Sequence, residues 1–358
     1  MVTACTHPLA SDLDLILDQT VDLWEEVRGR RIFITGGTGF FGSWLLESFA
    51  WANDRLNLGA HALVLTRNPE AFARKAPHLA SHPSIRFHVG EVRSFPFPEG
   101  PFSHTVHAAT PSDKRNPEYP LVIADTVVEG TRRALDFAKH CGARKFLLTS
   151  TGAVYGRQPP EVAHLPEDYA GVPRSGDPDA TYGKAKLQAE HLCAMYARRH
   201  GIEGKIARGF SFVGPYLPLD IHYAIGNFIR DGMNGGPVRV KGDGKAHRSY
   251  LYGADLAIWL WTILFQGKPC RPYNVGSEQD LTIEDLARRV AEAFTPPVRV
   301  QIAGLPAPGG VVQRYVPSTQ RALKELGLRQ YTPLSEAIRR TVQWYSAGLQ
   351  CPSLSGMT

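Results

Sequence analysis

A chain of 358 residues, 43% hydrophobic and 21% charged, is long enough for one large α/β core with a smaller appended lobe. Its Pro and Gly are plentiful but scattered, which marks turns and excludes disorder. The net charge of +6 suits an anionic ligand such as a nucleotide diphosphate; no basic run or repeat points to nucleic acid.

Residues 11–27 read as an acidic amphipathic helix, with Leu13, Ile16, Leu17, Trp24 and Val27 on or near one face, packed on the body or on another subunit. From Arg30 to about Arg208, β-rich runs at Arg31–Thr35, His61–Thr66, Ile85–Val89, Thr105–Ala108 and Lys145–Ser150 alternate with helical stretches. That rhythm predicts a doubly wound parallel Rossmann sheet with helices on both faces. Beyond Gly214-Pro215 it loosens. Gly and Pro cluster at Gly235-Gly236-Pro237 and Pro306–Gly310, and a smaller, mixed α/β substrate lobe is expected. The expected division is a helical extension over 1–28, a dinucleotide domain over 29–212 joined again by part of 245–265, and a substrate lobe over 213–358.

Gly36-Gly37-Thr38-Gly39-Phe40-Phe41-Gly42 directly follows the first strand and opens a helix. Glycines there permit a tight turn and close backbone approach to a pyrophosphate, and the helix N-terminus favours the anion. At the end of the second strand an acid would bond the 2′-hydroxyl of NAD. This chain has Thr66-Arg67, so no anion stands there and Arg67 can hold a 2′-phosphate. NADP(H) is therefore the preferred cofactor, with NAD(H) the alternative.

His107 ends the fourth strand and reads as a packed, hydrogen-bonded histidine. Thr110, Ser112 and Lys114 follow it on the side of the expected cleft. They are candidates for hexose contact, with solvent exposure the alternative. Tyr182 and Lys186 form Tyr-x-x-x-Lys, which shares one helix face. An ammonium beside a phenol lowers its pKa from about 10, so Tyr182 can exchange a proton with a sugar hydroxyl or carbonyl while hydride moves at the adjacent carbon. Ile258, Trp259, Trp261 and Leu264 form a core stripe. Arg198-Arg199, Arg288-Arg289 and Arg339-Arg340 fall on predicted helices as solvated faces.

With these residues in place, the chain resembles the extended short-chain dehydrogenase/reductases, the NAD-dependent epimerase/dehydratase group, over roughly residues 30–347. The glycine loop, His107-Ala108-Ala109, Thr149–Gly156, Tyr182 with Lys186, Gly214-Pro215, and Gly242-Asp243-Gly244 followed by Arg248 carry the resemblance. It implies Thr151 as the catalytic hydroxyl, Tyr182 as acid/base, and Lys186 as the residue that orients the cofactor ribose. It places Glu91, Val92, Ala108 and Ala109 at the cofactor, and Asn227, Arg248 and Arg314 at the substrate's nucleotide and diphosphate. Tyr155 is expected to support the site. Ser211 and Val127 stand where the family often has Asn. The family also implies a homodimer through helices near 119–141 and 182–200.

The two residues after Thr151 divide the family's chemistries. Dehydratases carry Asp-Glu there, decarboxylases a Glu second, and fucose-synthase-like enzymes a Cys. Here they are Gly152-Ala153, and neither can transfer a proton. The expected activity is NADPH-dependent reduction at C4 of a nucleotide-linked 4-keto-6-deoxyhexose. The alternative is a 4-epimerase with tightly held NAD, and the remote one a non-catalytic scaffold.

Cys5, Cys141, Cys193, Cys270 and Cys351 show no metal or disulfide spacing, and no membrane span or signal segment is evident. A cytoplasmic protein without a metal site or membrane partner is expected.

Overall fold

The computed structural model describes residues 7–111, 119–177, 180–221, 223–304 and 312–350. Cys5, Cys351, Ser112, Lys114 and the Pro306–Gly310 cluster lie outside them.

Helix α1 (Ala10–Thr20) opens the described chain, and a 3-10 segment, Val21–Val27, continues it. The Rossmann alternation follows: β1 (Arg31–Thr35), α2 (Phe40–Arg55), β2 (His61–Thr66), α3 (Pro69–Lys75), α4 (Pro77–Ala80), β3 (Ile85–Val89), β4 (His104–His107), α5 (Tyr119–His140), β5 (Lys145–Thr151), α6 (Thr181–His200) and β6 (Glu203–Gly209). Then come β7 (Phe212–Val213), α7 (Ala224–Met233), β8 (Val238–Val240), β9 (His247–Arg248), β10 (Leu251–Tyr252), α8 (Gly253–Gln266) and β11 (Pro272–Val275). The chain closes with β12 (Leu281–Thr282), α9 (Ile283–Glu292), β13 (Val300–Ile302), β14 (Arg314–Tyr315), α10 (Gln320–Leu326) and α11 (Leu334–Gln350).

Seven parallel strands form the main sheet in the order β11-β6-β5-β4-β1-β2-β3. The order reverses at β1 and β4, the crevice where such folds receive dinucleotides. Period-two alternation feeds both faces. Ile32 and Ile34 pack towards α2 and α8 with Trp24, Trp44, Trp259 and Trp261, whereas Phe33 meets Phe95, Phe102 and Phe137 beneath α5.

Helix α1 packs against α2 and α8, burying Leu13 and Ile16. Asp12 ties it to the body, accepting from Tyr252 at 2.8 Å and pairing with Arg340. The predicted helix over 11–27 tightens at Val21. There the Thr20 hydroxyl turns back to Ile16 O at 2.6 Å and accepts Trp24 Nε1–H at 3.0 Å.

The smaller lobe combines α7 and α9 with the β8–β13 pair and a three-stranded sheet ordered β12-β9-β14. The chain returns to the Rossmann unit through α8 and through β11, which extends the sheet edge beside β6. Among the described residues no helix is long and apolar enough to cross a membrane.

Candidate active site

The glycine loop is shaped for close approach. Gly36 has φ +71°, and a Cβ on it would lie 2.4–2.5 Å from the backbone of Ala108 and Ala109. A Cβ on Gly42 would strike Gly36 O at 2.3 Å, which seats α2 tightly on β1. Gly39, by contrast, is exposed, a Cβ on it would make only an ordinary contact with Gly36 O at 3.4 Å, and no side chain caps the α2 N-terminus it begins. A cradle crowded below and open above, ending in uncapped helix N–H groups, fits a dinucleotide pyrophosphate. Phe40 and Phe41 turn their rings inward towards Phe212, Phe41 edge-on at 4.9 Å.

Around this loop the expected cofactor residues differ in their setting. Thr66 is buried and its hydroxyl accepts Asn68 N–H at 3.3 Å, while Arg67 is exposed at the strand end. Glu91 folds back on its own turn, accepting from Arg93 N at 2.9 Å and Arg93 Nε at 3.1 Å. Val92 is buried beside Gly130. His107 joins Thr35 Oγ1 at 2.8 Å and Thr131 Oγ1 at 3.1 Å. Burial, aided by the Lys186 charge, pushes its pKa down to about 3, so it is a neutral packing element behind Ala108 and Ala109.

Tyr182 and Lys186 project from α6 beside the end of β5, with Lys186 Nζ 6.0 Å from the Tyr182 ring centre. Lys186 is buried, and Nζ donates to Thr149 O and to Thr110 Oγ1, both at 2.8 Å. Burial pushes its pKa down to about 8, opposed by the charge of Glu190 one turn further along α6. Thr110, a candidate for the hexose, thus also anchors this lysine. Glu190 is itself held by Ser150 Oγ at 2.5 Å and by a fork from Arg208, Nε at 3.0 Å and Nη2 at 2.6 Å. Arg208 lies 4.8 Å from the Tyr155 ring centre, and Tyr155 donates to Asn274 Oδ1 at 2.7 Å. Burial raises the Tyr155 phenol to about 12, so it supports the network as a neutral group.

Thr151 ends β5, and its hydroxyl accepts Ala153 N–H at 3.2 Å. The Tyr315 hydroxyl lies 3.3 Å away, where either oxygen can donate. A Cβ on Gly152 would fall 2.5 Å from Phe210 Cζ, and Phe210 in turn leans on Tyr315 with ring centres 4.7 Å apart. Phe210 and Tyr315 therefore form an aromatic wall beside Thr151. Burial raises the Tyr315 phenol to about 12.

β14 pairs with β9 in parallel, Arg314 opposite His247 and Tyr315 opposite Arg248. Neighbours on one strand face opposite ways. Arg314, expected at the diphosphate, pairs with Asp280, which also accepts from His247 Nδ1 at 2.7 Å. Arg248 is on the Tyr315 side, and its charge acts on that phenol. Asn227 sits half-buried on α7. Tyr315, Phe210 and Glu190 escape sequence reasoning. Glu190 alone has a spacing signal, four residues after Lys186; the others come from strand pairing distant in the chain.

The profile of the NAD dependent epimerase/dehydratase family matches residues 32–276. UDP-glucuronic acid decarboxylase 1 of Danio rerio is 30% identical over 323 residues, 90% of this chain and 74% of that protein. Among solved structures, UDP-N-acetylglucosamine 4-epimerase from Methanobrevibacter ruminantium superposes with a TM-score of 0.75 at 19% identity, covering 89% of this chain and 99% of its own. UDP-glucuronic acid 4-epimerase from Bacillus cereus, in complex with UDP-glucuronic acid and NAD, gives 0.74 at 20%, covering 88% and 99%. The chain belongs to the NAD-dependent epimerase/dehydratase family of extended short-chain dehydrogenase/reductases, and it is an enzyme of that family.

Proposed function

We propose that the protein reduces the C4 keto group of a nucleotide-linked 4-keto-6-deoxyhexose with NADPH. The observation that carries this reading is the packing of Phe210 over Gly152. It fills the place from which a side chain after Thr151 would act, and Ala153 beside it has no transferable proton. Proton movement at C5 thus lacks a group on this strand end, whereas redox at C4 has Thr151, Tyr182 and Lys186.

A bound nicotinamide dinucleotide supplies the hydride. Thr151 and Tyr182 hydrogen-bond the C4 carbonyl, and Tyr182 delivers the proton to the forming hydroxyl. Lys186, fixed by Thr149 O and Thr110 Oγ1, holds positive charge beside Tyr182 and faces the cofactor ribose. Arg248 and Asn227 receive the diphosphate and nucleotide. Arg67, with no acid at the β2 end, supports NADP(H) over NAD(H). The exposed Leu121, Leu187 and Met195 on α5 and α6 support a homodimer through these helices.

A second reading, a 4-epimerase with tightly held NAD, is favoured by the 4-epimerases among the structural neighbours. One experiment separates the readings. The purified protein is incubated with nucleotide-linked 4-keto-6-deoxyhexoses and, separately, with UDP-glucuronic acid and UDP-glucose, with NADPH absorbance and products followed. Stoichiometric NADPH oxidation with the keto sugar supports reduction. C4 epimers formed without net NADPH use support the epimerase. Carbon dioxide released from UDP-glucuronic acid overturns both.

A further inference from the structure

Lys75 ends α3, eight residues after Arg67. The residue is exposed, and its ammonium reaches the glycine loop. Nζ donates to Thr38 O at 3.1 Å and approaches Ser43 Oγ at 3.4 Å, and it lies 5.2 Å from the Tyr216 ring centre. Burial pushes the amine down to about 8. Both hydrogen-bond partners are neutral oxygens. Among the described residues no carboxylate lies within ion-pair distance of it.

The carboxylate that holds the Tyr216 hydroxyl has its own set of donors. Glu47, buried on α2, accepts from the Tyr216 hydroxyl, from His78 Nε2 at 2.8 Å, and from His7 Nε2 at 3.3 Å. His7 Nδ1 accepts Leu9 N–H at 3.2 Å, which leaves Nε2 as its proton-bearing nitrogen. Burial alone would raise the Glu47 carboxyl, but the donors from His7, His78 and Tyr216 outweigh it and hold it at about 2. This network fixes the Tyr216 ring beneath Lys75 and keeps the Glu47 carboxylate on its own donors, out of ion-pair distance of the ammonium.

On this fold the adenosine ribose lies at the end of the second strand. β1 and β2 pair with Thr35 opposite Leu65, so Thr38 and Arg67 leave the sheet side by side, three and two residues further on. We propose that Lys75 is a second specificity-determining cation, which with Arg67 binds a phosphate on the adenosine ribose and so selects NADP(H). The inference rests on the NADP(H) reading above. A lone exposed arginine is weakened by solvent and salt; an ammonium held on the loop carbonyl is placed before the ligand arrives.

The competing role is mechanical, with Lys75 merely bracing the Thr38 carbonyl. Calorimetric titration of the full chain with 2′,5′-ADP and with 5′-AMP distinguishes the two. The parent should prefer 2′,5′-ADP. Lys75→Gln, which keeps a donor for Thr38 O but no charge, should cut that preference about tenfold, and Lys75→Arg should retain most of it. Equal loss for both probes, or an unchanged ratio in a selective parent, overturns the role of Lys75 and leaves the NADP(H) reading standing. A parent that does not discriminate overturns both.

Discussion

Tyr315 and Thr151 lie 164 residues apart in the chain, yet their hydroxyls are 3.3 Å apart at the end of β5. The contact exists because β14 lies parallel to β9 and turns Tyr315, not Arg314, towards Thr151. Ala153 N–H already donates to the threonine oxygen. With the Tyr315 hydroxyl donating to it as well, the Thr151 proton would be left for the carbonyl oxygen of the proposed substrate.

Tyr315→Phe should therefore lower kcat/KM about two- to tenfold, the worth of one hydrogen bond. The loss should vanish in a Thr151→Val background if it acts through that threonine. A full additional loss in the double variant would show that Tyr315 acts on its own.

Gly152→Ala should destabilise the fold by about 1–3 kcal/mol, because the new methyl meets the Phe210 ring. Thermal unfolding of the single variant and of Gly152→Ala/Phe210→Leu checks this. The second change should restore much of the loss. An undiminished midpoint in the single variant would mean that Phe210 swings away freely.

The Lys186 charge is depressed by burial to about 8, and Glu190 works against that depression. Below this value the ammonium is present; above it the charge is lost, so kcat/KM should fall on an alkaline limb near pH 8. Removing the Glu190 charge lowers the Lys186 pKa further and moves the limb to lower pH. Glu190→Gln/Arg208→Gln is the variant to use, since Glu190→Gln alone leaves a buried arginine unpaired. A pH profile with the parent's limb would show that Glu190 does not tune Lys186.

Leu121, Leu187 and Met195 are 74%, 37% and 47% exposed on the outer faces of α5 and α6. Light scattering should give about twice the 39.4 kDa chain mass, and Leu187→Glu/Met195→Glu should give the monomer. A monomeric parent would remove these helices as an interface.

Local chemistry makes the Rossmann unit readable in the sequence. Strand runs such as Arg31–Thr35 are short and β-rich, and the loop that follows β1 needs its glycines for reasons of space alone. Tyr182 and Lys186 announce themselves by helical spacing. The wall beside Thr151 is different in kind. Phe210 and Tyr315 are ordinary aromatic residues in one-dimensional order, and only the β9–β14 pairing brings Tyr315 home. Arg314, one step along the same strand, faces the other way and pairs with Asp280, a partner that its place in the sequence does not announce.

The most direct test of redox confined to C4 is to run the reaction in D2O with unlabelled NADPH and a nucleotide-linked 4-keto-6-deoxyhexose, reading the product by NMR. Tyr182→Phe, which should lower turnover about 10²–10⁴-fold while still binding cofactor, serves as the control for spontaneous exchange. With Gly152 under Phe210 and Ala153 beside it, the product should carry protium from NADPH at C4 and no enzyme-dependent deuterium at C5. Deuterium at C5 above the control, or a product formed without NADPH consumption, would contradict it.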